Sequence, residues 1–298
     1  MSTVLITGAA GLLGAALLES APAGVRLIAQ VRTTPLPPAL AARATVVTLD
    51  LGDEPAVAAL LDRHGVSAVL HTAARTVPVD CEDHPAAAEA DNVGVPRLLT
   101  RLCAARGLPL VHVSTDLVFD GRAGRPYRED DPPAPISVYG RTKAAAELLV
   151  TAEPRNLVAR VPLMLGRSPT GRRSADEAIA AGVARGEVTL FADEFRTPIN
   201  ALLAARLLWE LRARGAAGIV HVAGRDRVTR WELGCAVADR LGLPRDRLRR
   251  ARLADFRGRP PRTPDVSLDT TRLAARCGWP APSLEESLAA PLAGAPWG

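Results

Sequence analysis

Short apolar runs alternate with Ala- and Leu-rich helical stretches through the first half of this chain, and that rhythm leaves few folds open. Residues 4–6, 25–31, 45–49, 68–71, 110–113 and 157–161 read as strands. Residues 12–18, 55–63, 85–106 and 139–151, between them, have helical period. The strand runs are apolar throughout, as expected where both faces are covered. A β-α-β-α order with such strands predicts an α/β fold, a doubly wound parallel sheet with helices on both faces. After about residue 165 the rhythm changes. A loop with Gly166, Pro169 and Gly171 leads to a helix over 176–185 and a strand over 188–191. Residues 201–214, 229–241 and 270–277 read as helices, 218–222 as a strand returning to the main sheet, and 289–298 as an Ala/Pro-rich tail that frays. The expected division is therefore residues 1–161, rejoined by about 199–224, and a smaller C-terminal α/β lobe within 162–298 that takes the substrate.

The first strand runs straight into Thr7-Gly8-Ala9-Ala10-Gly11-Leu12-Leu13-Gly14, which opens the first helix. Glycines at 8, 11 and 14 allow a tight turn, close backbone approach to a pyrophosphate, and close helix–strand packing. The helix N-terminus then offers free N–H groups and a partial positive charge to phosphates. This is the Rossmann dinucleotide site in its required context. An NAD site would place an acid at the end of the second strand. Here the strand ends Gln30-Val31-Arg32-Thr33-Thr34. Arg32 suits a 2′-phosphate, which points to NADP(H). Asp50 and Leu51, after the third strand, are placed to meet the adenine; an ordinary strand-end Asp remains the plainer alternative.

The chain has 36 arginines and a single lysine, Lys143, four residues after Tyr139, one of two tyrosines. On a helix the two share a face. Lysine and arginine are not interchangeable where a compact ammonium must sit beside a phenol and a ribose. A neighbouring ammonium is expected to lower the tyrosine pKa, so that Tyr139 exchanges a proton near neutral pH. An exposed lysine beside a buried tyrosine is the bland alternative.

Composition narrows the rest. Cys81, Cys103, Cys235 and Cys277 form no CxxC pair and the five histidines no HxxxH, so neither a disulfide framework nor a metal is expected. Reduced thiols, the lack of a basic leader before the first strand, and the lack of a long apolar run point to a cytoplasmic chain without a membrane span. The net charge of +5 suits an anionic ligand. Nucleic acid is not expected, because acids intersperse the arginines and aromatics are only 3%. The densest basic run, residues 245–252, reads as solvated surface.

Several motifs in order carry a family resemblance: the glycine loop, His71-Thr72-Ala73-Ala74, Asn92-Val93, Ser114-Thr115-Asp116-Leu117-Val118-Phe119-Asp120-Gly121, and Tyr139-x-x-x-Lys143. Downstream come Arg160-Val161-Pro162, Asp193-Glu194-Phe195-Arg196-Thr197-Pro198 and Arg262-Thr263-Pro264-Asp265. The chain resembles the extended short-chain dehydrogenase/reductases, in the branch that holds dTDP-4-dehydrorhamnose reductase and the regulatory β subunit of methionine adenosyltransferase. The resemblance implies an NADPH-dependent ketoreductase acting on an NDP-4-keto-6-deoxy sugar. It makes Thr115 the hydroxyl on the substrate carbonyl, Tyr139 its acid, and Lys143 the holder of the nicotinamide ribose. Gly8, Gly11, Leu12, Leu13, Gly14, Ala73, Ala74 and Asn92 would line the cofactor side, and Thr76 would approach the substrate. A basic C-terminal lobe suits a diphosphate, with Arg196, Arg259 and Arg262 as candidates. Two departures bear on the reaction. The related 4,6-dehydratases carry Asp-Glu after the catalytic Thr; here Leu117 follows Asp116, which argues against dehydration. No aromatic follows Arg160, as it does in the rhamnose-forming enzymes, and this resembles the β-subunit side. A non-sugar ketone or imine, a non-catalytic NADP-binding subunit, and a homodimer stay open.

Overall fold

A computed structural model of the chain describes residues 2–171 and 174–290. Seven strands, β1 (Ser2–Thr7), β2 (Val25–Val31), β3 (Thr45–Thr48), β4 (Ala68–His71), β5 (Leu110–Thr115), β6 (Leu157–Val161) and β7 (Gly218–His221), form one sheet in the order β7-β6-β5-β4-β1-β2-β3. Every pairing is parallel. The chain returns to the sheet through β7, as the 218–222 run predicts. Strand order reverses between β1 and β4, and the carboxyl ends of those strands open the crevice where such sheets take ligands.

Side-chain alternation explains the layers. Val4 and Ile6 of β1 pack with Leu13, Leu17 and Leu208 on one face, and Leu5 packs with Val57, Leu61 and Leu99 on the other. Helix α1 (Leu12–Glu19) and the Ala201–Ala213 helix cover the first face, tied together by the Trp209 indole donating to the Leu17 carbonyl at 3.1 Å. The Glu54–His64, Val95–Ala105 and Val138–Thr151 helices follow the strands they cross between. Ser137 caps the last of these by accepting from the Gly140 N–H at 3.1 Å, fixing where Tyr139 and Lys143 enter the helix. Residues 85–106 are expected as one plain helix. They form Pro85–Glu89, a π turn over Ala90–Gly94, and Val95–Ala105. Pro96 has no N–H for the Asn92 carbonyl four residues back, so the ladder widens there.

The C-terminal lobe packs Leu165, Ile179, Val183, Leu190, Leu233 and Val237 into its own small core. Val188–Phe191 pairs in parallel with Leu248–Ala251, and Phe195–Arg196 pairs antiparallel with Val228–Thr229. The basic run at 245–252 thus contains a strand; Leu248 is buried while Arg249 and Arg250 stay exposed. Of the 289–298 tail, residues 291–298 lie outside the described residues. No described helix is long and apolar enough to cross a membrane.

One buried ion pair joins the sheet to the Val138–Thr151 helix. Arg160 of β6 donates to Glu147 through Nε at 3.0 Å and Nη2 at 2.7 Å, with both side chains at most 3% exposed. Its guanidinium also lies 4.8 Å from the Phe119 ring centroid. Removing Glu147 leaves a buried guanidinium without its counter-charge. Glu147→Ala should cost about 3–5 kcal/mol, seen as a lower urea midpoint with an unchanged slope. A midpoint within error of wild type would show that Arg160 is satisfied without it.

Candidate active site

The glycine loop sits where β1 gives way to α1. Gly8 takes φ +65°, and a Cβ there would lie 2.7 Å from Ala73 N and Cα. At Gly14 a Cβ would lie 2.3 Å from the Gly8 carbonyl oxygen. These two positions need glycine for conformation and for contact. Gly11 precedes α1 with no side chain capping the helix, so the first N–H groups remain available to an anion. Gly8, Gly11, Leu12, Leu13 and Gly14 line a cleft of about 660 Å³ at the carboxyl ends of the central strands. Arg32, Asp50, Leu51, Ala73, Ala74, Thr76, Thr115, Tyr139, Lys143, Arg196, Arg259 and Arg262 line the same cleft.

Asn92 does not line it. Its amide accepts from Arg75 N at 2.8 Å and donates to Arg75 O and Thr142 Oγ1, both at 3.1 Å. The π turn rotates it inward, where it bolts the 73–76 segment to the Tyr139–Lys143 helix. Arg32 is half-exposed and makes only a 3.4 Å contact with Asp91. Asp50 accepts from Gly52 N at 2.8 Å and so shapes its own turn. Gln30 accepts from Gly8 N at 3.0 Å and donates to Leu49 O at 2.6 Å, tying β2 to the glycine loop and to the end of β3.

Lys143 is almost wholly buried at 2% exposure. Its ammonium donates to Val113 O at 2.7 Å and meets His112 Nε2 at 3.0 Å. His112 stacks on His71 at 5.2 Å, and His71 Nδ1 meets Thr7 Oγ1 at 2.7 Å, so a polar chain runs from the lysine across β5, β4 and β1. Burial holds Lys143 down to about 7, with Glu147 opposing. Burial, then the Lys143 charge, keeps His71 down to about 3 and His112 well below its usual range. Both rings are therefore neutral.

Tyr139 departs from expectation. Burial pushes its hydroxyl up, the Asp116 charge adds to that, and the Thr115 hydroxyl pulls the other way. The ammonium that was to lower it is turned toward His112 and Val113. Thr115 donates to Asp116 Oδ1 at 2.9 Å and accepts from Leu117 N at 3.2 Å. Burial raises Asp116 too, with the Arg196 charge opposing.

Arg196 is spent on the protein. It donates to Phe195 O, Thr263 O, Thr263 Oγ1 and Glu194 Oε1 at 2.7–3.1 Å, and its Nε sits 3.7 Å from Asp116. Arg262 gives Nε and Nη2 to Glu194 and lies 5.1 Å from the Phe191 ring and 5.5 Å from the Phe256 ring. Arg259 pairs with Asp83 at the mouth. Three contributors escape the motif reading: His112, Glu194 as a partner for two arginines, and Arg230, another lining residue. The alternation of β5 puts His112 on a definite face, but nothing in spacing names the residue opposite it. Among the described residues no group of three or more His, Cys, Asp or Glu is placed to hold a metal ion.

This arrangement meets a family pattern along nearly its whole length: the RmlD substrate binding domain matches residues 1–295. The chain belongs to this family. Within it, the chain is 36% identical over 261 residues to a probable dTDP-4,6-dihydroxy-2-methyloxan-3-one 4-ketoreductase of Streptomyces antibioticus, covering 87% of this chain and 83% of that one. It is 32% identical over 253 residues to methionine adenosyltransferase 2 subunit beta of Xenopus laevis, covering 82% and 74%. The crystal structure of a hypothetical dTDP-4-dehydrorhamnose reductase from Sulfolobus tokodaii superposes with a TM-score of 0.83 at 26% identity, covering 96% and 99%.

The buried lysine gives a test of its own. Its folded pKa of about 7 lies below the usual lysine value of 10.5, so the unfolded chain holds the proton more tightly. The resulting penalty is full below pH 7 and fades as pH rises toward the unfolded value. Lys143→Met should therefore stabilise the ligand-free protein at pH 7 by at least about 1.4 kcal/mol, the equivalent of one pKa unit. Denaturant unfolding at pH 7 and pH 9.5 should show that advantage shrinking; an advantage that grows with pH would contradict the burial argument.

Proposed function

We propose that this protein is an NADPH-dependent ketoreductase whose substrate is an NDP-4-keto-6-deoxy sugar. The observation that carries the reading is convergence. Thr115 at the end of β5, and Tyr139 and Lys143 one helical turn apart, face the cleft that the glycine loop and Arg32 also line. NADPH supplies the hydride when bound. The residues fit it: the uncapped start of α1 and the Gly8–Gly14 turn suit its pyrophosphate, and half-exposed Arg32 suits its 2′-phosphate. As the ketone becomes an alkoxide, the Tyr139 hydroxyl gives its proton to that oxygen, and Thr115 orients it. A hydroxyl held protonated by burial is a proton donor in its resting state. Lys143 lies one turn away, where it would hold the nicotinamide ribose. Leu117 leaves no second acid beside Asp116 for dehydration.

The name borne by the Streptomyces antibioticus relative, a 4-ketoreductase of a dTDP sugar, supports the same class. The likeness to a methionine adenosyltransferase β subunit favours a second reading, an NADP-binding regulatory subunit. Under that reading NADPH binds, and no carbonyl in a panel of NDP-4-keto sugars is reduced. Under ours, nicotinamide absorbance falls with at least one of them.

Two variants divide the roles. Tyr139→Phe keeps the ring and removes its proton, so kcat should drop about 10²- to 10⁴-fold while NADPH still binds. Arg32→Ala should weaken NADPH more than about tenfold and leave NADH nearly unchanged, as expected for one charge-assisted contact. Equal losses of both cofactors would remove Arg32 from the 2′-phosphate.

A further inference from the structure

Arg230 opens the Arg230–Leu241 helix, next to Thr229 of the Phe195–Arg196 ladder, and its backbone N–H donates to Glu194 O at 2.9 Å. Its side chain lines the cleft. Among the described residues, Nη1 is buried without a hydrogen-bond partner and the guanidinium takes part in no ion pair. Burial brings its pKa down to about 10, with the Glu194 charge opposing and the Arg196 and Arg262 charges adding to it.

Neither neighbouring carboxylate is hydrogen-bonded to it. Glu194 Oε1 accepts from Arg196 and from Arg262, both at 2.9 Å, and Oε2 accepts from Arg262 at 2.7 Å. Asp116 Oδ1 accepts from Thr115, while its Oδ2 is buried without a hydrogen-bond partner, 3.7 Å from Arg196 Nε and not bonded to Arg230. Three guanidiniums thus face two carboxylates, and the one left over is Arg230. A buried donor with no acceptor is costly, and a buried charge with no counter-charge more so. Such a group persists where a ligand completes it.

We infer that Arg230 takes an anionic phosphate oxygen of the substrate, in the diphosphate of a nucleotide sugar. This rests on the nucleotide-sugar reading above and shifts the anion contact away from Arg196, whose donors are committed to the protein. A guanidinium fork suits phosphate or carboxylate oxygens, and its place inside the cleft sets it apart from the phosphate site at α1.

The test uses the full chain and calorimetric titration with thymidine diphosphate, NADPH and glucuronate. Arg230→Gln should weaken thymidine diphosphate more than about tenfold, while NADPH binds as before. Arg230→Lys should recover part of the loss, since it returns the charge without the fork. Ligand-free Arg230→Gln should unfold at or above the wild-type temperature, because it removes an unpaired, half-buried charge; a purely structural arginine would give a lower one. Equal thymidine diphosphate affinity in wild type and Arg230→Gln overturns the assignment, as does a lowered unfolding temperature. Glucuronate binding that matches thymidine diphosphate and is lost in Arg230→Gln would give the guanidinium to a carboxylate instead. If wild type binds NADPH but no thymidine diphosphate, the nucleotide-sugar reading and this inference fall together. If it binds thymidine diphosphate through Arg230 but reduces no keto sugar, only the reductase reading falls.

Discussion

Backbone meets backbone at the switch point of the sheet, and the geometry of the cleft follows from that contact. The Gly8 carbonyl lies against Gly14, and the Gly8 Cα against Ala73, with no room for a β-carbon at either glycine. This closeness lets α1 start directly off β1 and lets β4 end beside it. The crevice between β1 and β4 is therefore narrow, walled by main chain and open at the strand ends. Side chains that enter it come from three directions: the ends of β2 and β5, the Val138–Thr151 helix, and the C-terminal lobe. The Arg160–Glu147 pair secures the second of these to the sheet, one helical turn beyond Lys143 on the same face.

Much of this was legible before any coordinates. Uninterrupted apolar strands demanded cover on both faces, and the glycine spacing after β1 needed a strand before it and a helix after it; both arrived as read. The Tyr139–Lys143 spacing placed those two in one cleft because a helix has only one geometry at i and i+4. Less legible was which protein groups the motif side chains bond to. Asn92 faces inward because Pro96 breaks the ladder above it. Arg196 gives its donors to Glu194, two residues before it, and to Thr263, 67 residues away, the latter a pairing with no local signal. The electrostatics of Tyr139 were misread for the same reason. A sequence shows that an ammonium is near, but not that His112 and Val113 turn it aside. Arg230 was hidden among 36 arginines, where identity carries no information and only the lack of a partner distinguishes one.

The ligand-free site is held at some distance from its electrostatic optimum. A lysine with no carboxylate bonded to it, two neutral histidines, a raised tyrosine and an unpaired guanidinium share the same end of the sheet. Each is tolerated because the apolar layers beneath are continuous, and because the buried ion pair elsewhere is complete.

Gln30 reaches from β2 to the glycine loop on one side and to β3 on the other. It is a stitch across three adjacent strands, and that makes it a poor place for innovation. A carboxylate there would lose the donor that holds Leu49 and repel the phosphate side of the turn. Arg32, two residues on, touches almost nothing. A change of cofactor preference is therefore easier at Arg32-Thr33-Thr34, a short rim that can be altered while the strand beneath it stays fixed. Redox partner choice and fold integrity are uncoupled here by two residues of chain, which is the arrangement a protein engineer would want.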